Sequence, residues 1–402
     1  MLSAIRFTIS DVRVRAIALA LVLLGFTYAS TIPYQSIIGT QQLGMSERQF
    51  GLLIFVIGLA GMIGNLVLGY LSDLAKDRKT AILYCLGAGV VGFGSFALWP
   101  SMATFIFCMV FVLPFSNSAY ALLFGTVRGV ANEHHPKDAA SINAAVRAFY
   151  AFSWIVVPGL VGLFIATRQN VSDCYAVAAV AFALCLLFYW RFGPSVPGGV
   201  SASASAVENL AEAFKLIFNA GRLSRLLAIA LINSATAVSA YTLPLLINVK
   251  LGGSFANIGW LSGLVAAMEI PIMLGVGAAA RRWPLWQVIV AGGLVHAGFL
   301  LALAMTTQVS ALFAFAILNA IGNAVALTQH ITYSQNLLPD RPGLGSSLMS
   351  FVALISRGLG AVVFAGIGAF YSLTGSLVIG TMVVLVGCLA LAMMDARRAG
   401  VG

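Results

Sequence analysis

The chain has 402 residues, of which 60% are apolar and only 8% charged. Soluble domains are about half apolar and about a quarter charged, so a soluble enzyme or nucleic-acid binder is excluded. The net charge of +10 therefore has to be read by the side of a membrane on which each charge falls. The five cysteines, Cys85, Cys108, Cys174, Cys185 and Cys388, lie inside apolar runs with no C-x-x-C pair, which implies neither a disulfide framework nor a metal site. No G-x-x-x-x-G-K-[ST] sequence occurs, so ATP-driven chemistry is not expected. No cofactor is implied.

Taken in chain order, windows of about 20 apolar residues fall at roughly 16–41, 49–72, 80–99, 103–128, 142–166, 174–192, 224–248, 257–280, 285–306, 310–335, 346–370 and 376–394. The reading is an all-α membrane protein of twelve transmembrane helices. The first run follows basic residues but is too long for the apolar core of a signal peptide, so it is taken as span 1. Twelve spans leave both termini on one side. That side receives 17 of the 22 Lys and Arg residues, against Arg48, Arg168 and Lys250 on the other and two arginines within the membrane. The bias predicts cytoplasmic termini and, in a bacterium, the inner membrane. Trp99, Trp190, Trp260, Trp283 and Trp286 lie near span ends, where amphipathic rings favour the headgroup level; Trp154 lies mid-span.

After span 6 the sequence turns to Gly193-Pro194, Pro197-Gly198-Gly199 and the run Ser201 to Ser205, the composition of a linker. Leu210, Phe214, Ile217 and Phe218 share one face of a short surface helix predicted over 207–218. The expected organisation is a six-helix half over 1–192, a cytoplasmic linker over 193–221 and a second six-helix half over 222–402.

The linker sits near mid-chain, and matches recur at about half the length. Ala29 to Pro33 in span 1 reads against Ala240 to Pro244 in span 7; Gly51 and Gly69 match Gly259 and Gly277; Asn117 and Pro136 match Asn323 and Pro342; Arg147 matches Arg357. Offsets of 206 to 211 in constant chain order indicate duplication. Two six-helix halves joined by a cytoplasmic linker are the architecture of major facilitator transporters, whose solute sites lie near the bilayer midplane.

Ionisable groups within a membrane are costly and mark function. Of twelve acidic residues, Glu269 alone falls mid-span, two residues before Pro271, whose missing N–H frees the carbonyl of Ala267 and favours a kink. A carboxyl group drawn toward its neutral form by burial and toward its anion by an arginine suits a proton-coupled cycle; a permanent ion pair with Arg147 or Arg357 is the structural alternative. Arg357 lies near the middle of span 11, and Arg147 lies toward the cytoplasmic end of span 5. Polar stripes are the second signal. Thr27, Thr31 and Tyr34 follow helical spacing in span 1, Asn117 and Tyr120 in span 4, and Asn319, Asn323 and His330 in span 10, with Asn233 and Tyr241 in span 7. Such side chains suit a hydroxyl-rich solute, although interhelical hydrogen bonding accounts for any one of them. His296 and His330 are also candidate proton relays.

The loop after span 2 reads Gly69-Tyr70-Leu71-Ser72-Asp73-Leu74-Ala75-Lys76-Asp77-Arg78-Lys79. It resembles the major facilitator signature, in which a glycine allows close packing and an aspartate with following basic residues forms a cytoplasmic latch, here Gly69, Asp73 and Arg78. It departs in having Leu74 after the aspartate. Met268-Glu269-Ile270-Pro271 with Met273-Leu274, Leu318-Asn319-Ala320-Ile321, Tyr333 to Pro339, Arg147 with Trp154 and Pro158, Pro33, Pro244 and Ser356-Arg357 together resemble the sugar efflux transporter family of that superfamily over nearly the whole chain. The resemblance implies export of small sugars or related polar solutes in exchange for protons by a monomer in the lipid bilayer. It assigns Glu269 to coupling or ligand binding, and Asn319 and Arg357 to a central cavity. Efflux of amphipathic drugs and proton-independent exchange are the rival functions.

Overall fold

The computed structural model describes residues 2–74, 77–134, 138–196, 219–338 and 342–399. Twelve helices among them are long and apolar enough to cross a membrane. Spans 1 to 6 are Val12–Gln42, Glu47–Gly64, Arg78–Leu98, Met102–Glu133, Ser141–Arg168 and Asp173–Phe192; spans 7 to 12 are Ala220–Lys250, Phe255–Ala279, Leu285–Met305, Val309–Asn336, Leu348–Ala365 and Leu373–Ala396. The described residues contain no strand ladder, as expected where hydrocarbon supplies no partner for an exposed backbone group. The predicted spans all recur, several extended by a few residues into the boundary. The surface helix predicted over 207–218 lies outside the described residues. A short helix that the apolar windows did not reveal, Leu2–Ser10, precedes span 1. Asp11 separates the two and caps span 1 by accepting from the amides of Arg13 and Val14.

The chain divides into two compact units, one formed by Met1–Ile38 and Leu59–Ala206, the other by Gly39–Gly58 and Val207–Gly402. In the first, Phe93, Phe96, Phe105, Tyr175 and Phe182 from spans 3, 4 and 6 form a buried aromatic cluster with neighbouring centroids 4.7 to 6.1 Å apart. Gly89 and Gly92 admit it, since a Cβ at Gly89 would stand 2.5 Å from the Phe182 ring and one at Gly92 2.4 Å from Val112. In the second, span 7 is the hub. Gly360 of span 11 presses on Ala237 and the Val238 amide, and Gly380 of span 12 on the Val238 side chain, so these two segments, helical over Pro342–Ala399, run back past one another. Gly51 of the 39–58 segment meets Ala361 and Ala365 of span 11, and Phe50 lies edge-on to Tyr241 and Phe364.

The repeat seen in the sequence recurs in the backbone. Spans 1 and 7 each end in a π-helical turn, Ile38–Gln42 and Leu246–Lys250. Each turn is closed by a similar hydrogen bond, Met45 N to Gly39 O and Gly253 N to Ile247 O. A left-handed glycine follows, Gly44 at φ 67° and Gly252 at φ 65°, a conformation that costs other residues about 1–2 kcal/mol. Ser46 with Gln49, and Ser254 with Asn257, then cap the next helix reciprocally. Every one of these correspondences has the same offset of 208.

Candidate functional site

Glu269 lies in the middle of span 8, whose helix continues through Pro271. Its Oε1 accepts a hydrogen bond from Asn323 Nδ2 of span 10 at 2.9 Å, and Asn323 Oδ1 accepts one from Thr236 Oγ1 of span 7 at 3.1 Å. Three helices of one unit thus converge on one carboxyl group through an amide that donates and accepts at once. Among the described residues Glu269 takes part in no ion pair within 4.0 Å, so the permanent pairing set against function above is not what holds it. Thr236 was not singled out from the sequence. The signal is faint: it lies three residues after Asn233, on the same face of span 7.

The other candidates of this unit surround that network. Asn233 Nδ2 donates to Ser356 Oγ at 3.3 Å, and Ser356 is anchored to the carbonyls of Ala230 and Val352. The adjacent Arg357 is exposed, and Tyr241 packs edge-on against Phe364 at 6.4 Å. Asn319 lies one helical turn from Asn323 but is buried, as is His330; neither joins the Glu269 network.

In the first unit, Arg147 is exposed along span 5, its guanidinium 5.0 Å over the Phe124 ring, an arrangement that favours the cation. Tyr120 packs edge-on against Phe124 at 4.7 Å and Tyr150 at 4.9 Å. Asn117, one turn along span 4, is exposed. These groups form one polar and aromatic patch. Thr31 and Tyr34 lie elsewhere. Thr31 bonds back to the Thr27 carbonyl, and the fully buried Tyr34 donates to the Pro158 carbonyl at 2.9 Å, tying span 1 to span 5.

A second charged network, unforeseen in the sequence, closes one end of the second unit. Arg225 Nε donates to Asp395 Oδ1 at 2.7 Å, Arg225 also reaches the carbonyls of Gly221 and Met394, and Tyr333 donates to Asp395 Oδ2 at 2.5 Å. Both charged side chains are about nine-tenths buried.

The family model of the Major Facilitator Superfamily matches residues 17–361. The chain belongs to this superfamily. Its superfamily relatives include Sugar efflux transporter A of Dickeya chrysanthemi, 26% identical over 82% of each chain, and Sugar efflux transporter A of Escherichia coli, 24% identical over 88% of this chain and 87% of that one. A Deinococcus radiodurans protein, whose own assignment to sugar efflux is provisional, is 28% identical over 86% of this chain and 89% of its own. The resemblance to sugar efflux transporters is thus borne out over most of the chain. Among solved structures, the nucleoside transporter NupG superposes with a TM-score of 0.80 at 13% identity, covering 96% of this chain and 99% of that one, and PepTSo, a POT family transporter, with 0.76 at 10%, covering 96% and 98%. These carry the fold alone. The chain is a multi-pass membrane transporter with the major facilitator fold. In the superfamily signature loop, the surroundings of Gly69 and the side chain of Asp73 lie outside what the structure describes. Asp77 caps span 3 through the Lys79 amide, and Arg78 donates to the Gly125 carbonyl of span 4 at 3.4 Å.

Proposed function

We propose that this transporter moves small sugars or closely related polar solutes out of the cytoplasm in exchange for protons, alternating access between the two sides of the inner membrane, with both termini in the cytoplasm. The observation that carries the coupling is Glu269 itself, a mid-membrane carboxyl with no paired cation among the described residues, held by one amide donor. Such a group can release and regain a proton without leaving a buried arginine unpaired. Its Asn323–Thr236 ladder joins the proton-bearing atom to two further helices, so a change of charge has a mechanical path into the helix packing. The names of the relatives supply the solute class.

Solute recognition is assigned to the polar and aromatic faces described in each unit: Asn117 and Tyr120 with Arg147, and Asn233 and Tyr241 with Arg357. Their amides, phenols and rings offer a sugar both hydrogen bonds and apolar faces. The test uses purified protein in liposomes loaded with labelled lactose, followed with and without an imposed pH gradient. Gradient-driven release lost in Glu269→Gln is the expected outcome. Equal release with and without the gradient in wild type refutes antiport in favour of a facilitator. Transport of an amphipathic cation with no sugar flux refutes the solute class.

A further inference from the structure

Spans 9 and 10 enclose three polar side chains that the Glu269 network does not use. His296 is 2% exposed, Asn319 7% and His330 1%. Among the described residues, His296 Nε2, Asn319 Oδ1 and both ring nitrogens of His330 have no hydrogen-bond partner. The chain makes room for them: a Cβ at Gly322 would stand 2.4 Å from His296 Cγ and 2.5 Å from its Nδ1, so the imidazole lies against bare span 10 backbone, beside Asn319 one turn away. Phe299 covers it at a centroid distance of 6.0 Å. His330 lies eight residues beyond Gly322 on the same helix, about 12 Å along its axis.

Buried polar atoms nearly always have partners, and leaving such atoms unmet beside His296 and, three turns further along span 10, around His330 is costly. A buried water bridging about three such groups removes that cost. We propose that ordered water beside His296 and Asn319, and around His330 three turns further along span 10, forms a proton path between Glu269 and the Tyr333–Asp395 end of span 10. Asn323, which holds Glu269, is one turn from Asn319. Tyr333, three residues beyond His330, donates to Asp395. At 1.5 Å rise per residue, Asn319 to Tyr333 spans about 21 Å, most of a hydrocarbon core of about 30 Å. A neutral imidazole takes a proton at its unprotonated nitrogen and releases another from the opposite N–H to the next water. One proton therefore advances, no electron moves, and the ring ends neutral. The titratable and charged groups carried by the helices packed on spans 9 and 10 are Arg222, Arg225, Tyr241 and Lys250 of span 7, Glu269 of span 8, Arg357 of span 11, and Cys388 and Asp395 of span 12, with Tyr333 on span 10 itself.

This path rests on the reading of Glu269 as the coupling carboxyl, so the two are tested separately. In full-length protein with ¹⁵N-labelled histidine in lipid nanodiscs, hydrogen–deuterium exchange is followed by NMR. A hydrated pocket exchanges the ring N–H of His296 and His330 while the backbone amides of spans 9 and 10 remain protected; rings protected as long as those amides overturn the water assignment. In liposomes, His330→Leu is expected to slow pH-gradient-driven release of labelled lactose by about a hundredfold, the lower end for a positioned proton-transfer group, and to leave gradient-free exchange at the wild-type rate. His330→Gln, closer in polarity, serves as a second variant should the leucine variant fail to fold. A gradient-driven rate retained in a folded His330 variant overturns the path. A wild type that ignores the gradient overturns the path together with the reading of Glu269, whereas wild-type coupling with a silent His330 overturns the path alone.

Discussion

Replacing Asn323 by alanine removes two hydrogen bonds together, the donor to Glu269 at 2.9 Å and the acceptor for Thr236 at 3.1 Å. Interhelical hydrogen bonds in membrane proteins average about 0.6 kcal/mol and reach about 1.7, so the expected loss is about 1–3 kcal/mol. A double-mutant cycle isolates the ladder. Once Asn323 is alanine, Thr236→Val has no interhelical bond left to break, so the pair is coupled by about 0.6 kcal/mol or more instead of adding. Glu269→Gln keeps a carbonyl acceptor for Asn323, so it should retain most of the stability that Asn323→Ala loses while losing the pH-gradient response. The assay is unfolding of purified protein in mixed micelles, titrated with denaturing detergent, alongside gradient-driven release from liposomes. Strict additivity of Thr236→Val and Asn323→Ala would refute the ladder as an energetic unit. Gradient-driven release by Glu269→Gln at the wild-type rate would refute its role in coupling.

Asp395→Asn leaves the buried Arg225 without its counter-charge and should cost about 3–5 kcal/mol, whereas Tyr333→Phe, which removes one hydrogen bond to that carboxylate, should cost about 1.5–3; thermal unfolding in detergent ranks the two. Gly44→Ala and Gly252→Ala each force a left-handed alanine and should each cost about 1–2 kcal/mol, whereas Ala at Gly61, inside a helix and with nothing within 4 Å of an added Cβ, should stabilise by up to about 1 kcal/mol in the same assay. Gly51→Leu drives a side chain into Ala365 Cβ, which an added Cβ already meets at 2.5 Å, and the Ala361 carbonyl at 2.9 Å; overpacking of this kind costs about 1–3 kcal/mol, and a lowered unfolding midpoint of the purified variant checks it.

The spans were legible because the bilayer leaves the backbone few choices: a run of about 20 apolar residues must satisfy its own amides, and a helix does so. The duplication was legible because glycines and prolines recur at matching positions of the two halves; Gly51 and Gly259, inside spans 2 and 8, share the offset of the turns at Gly44 and Gly252. Glu269 was legible as the acid with no reason to lie mid-span. Thr236 was not, because threonines in membrane helices commonly bond back to their own helix, as Thr31 and Thr242 do, and nothing in spacing separates such a hydroxyl from one that reaches across. The Arg225–Asp395 tie escaped for a different reason. Its members lie 170 residues apart at opposite ends of the second half, and charges at span ends read as solvated until the chain is folded.

The offset of 208 that pairs Gly44 with Gly252 and Gly51 with Gly259 pairs Glu269 with Gly61. An added Cβ at Gly61 would meet nothing within 4 Å, so no steric barrier to a side chain begins at that position. The two copies have therefore parted in chemistry while keeping their turns and caps: one acquired or retained an acid, and the other is bare. On the function proposed above, that difference divides the labour between the halves, with the proton-carrying acid in the later copy alone.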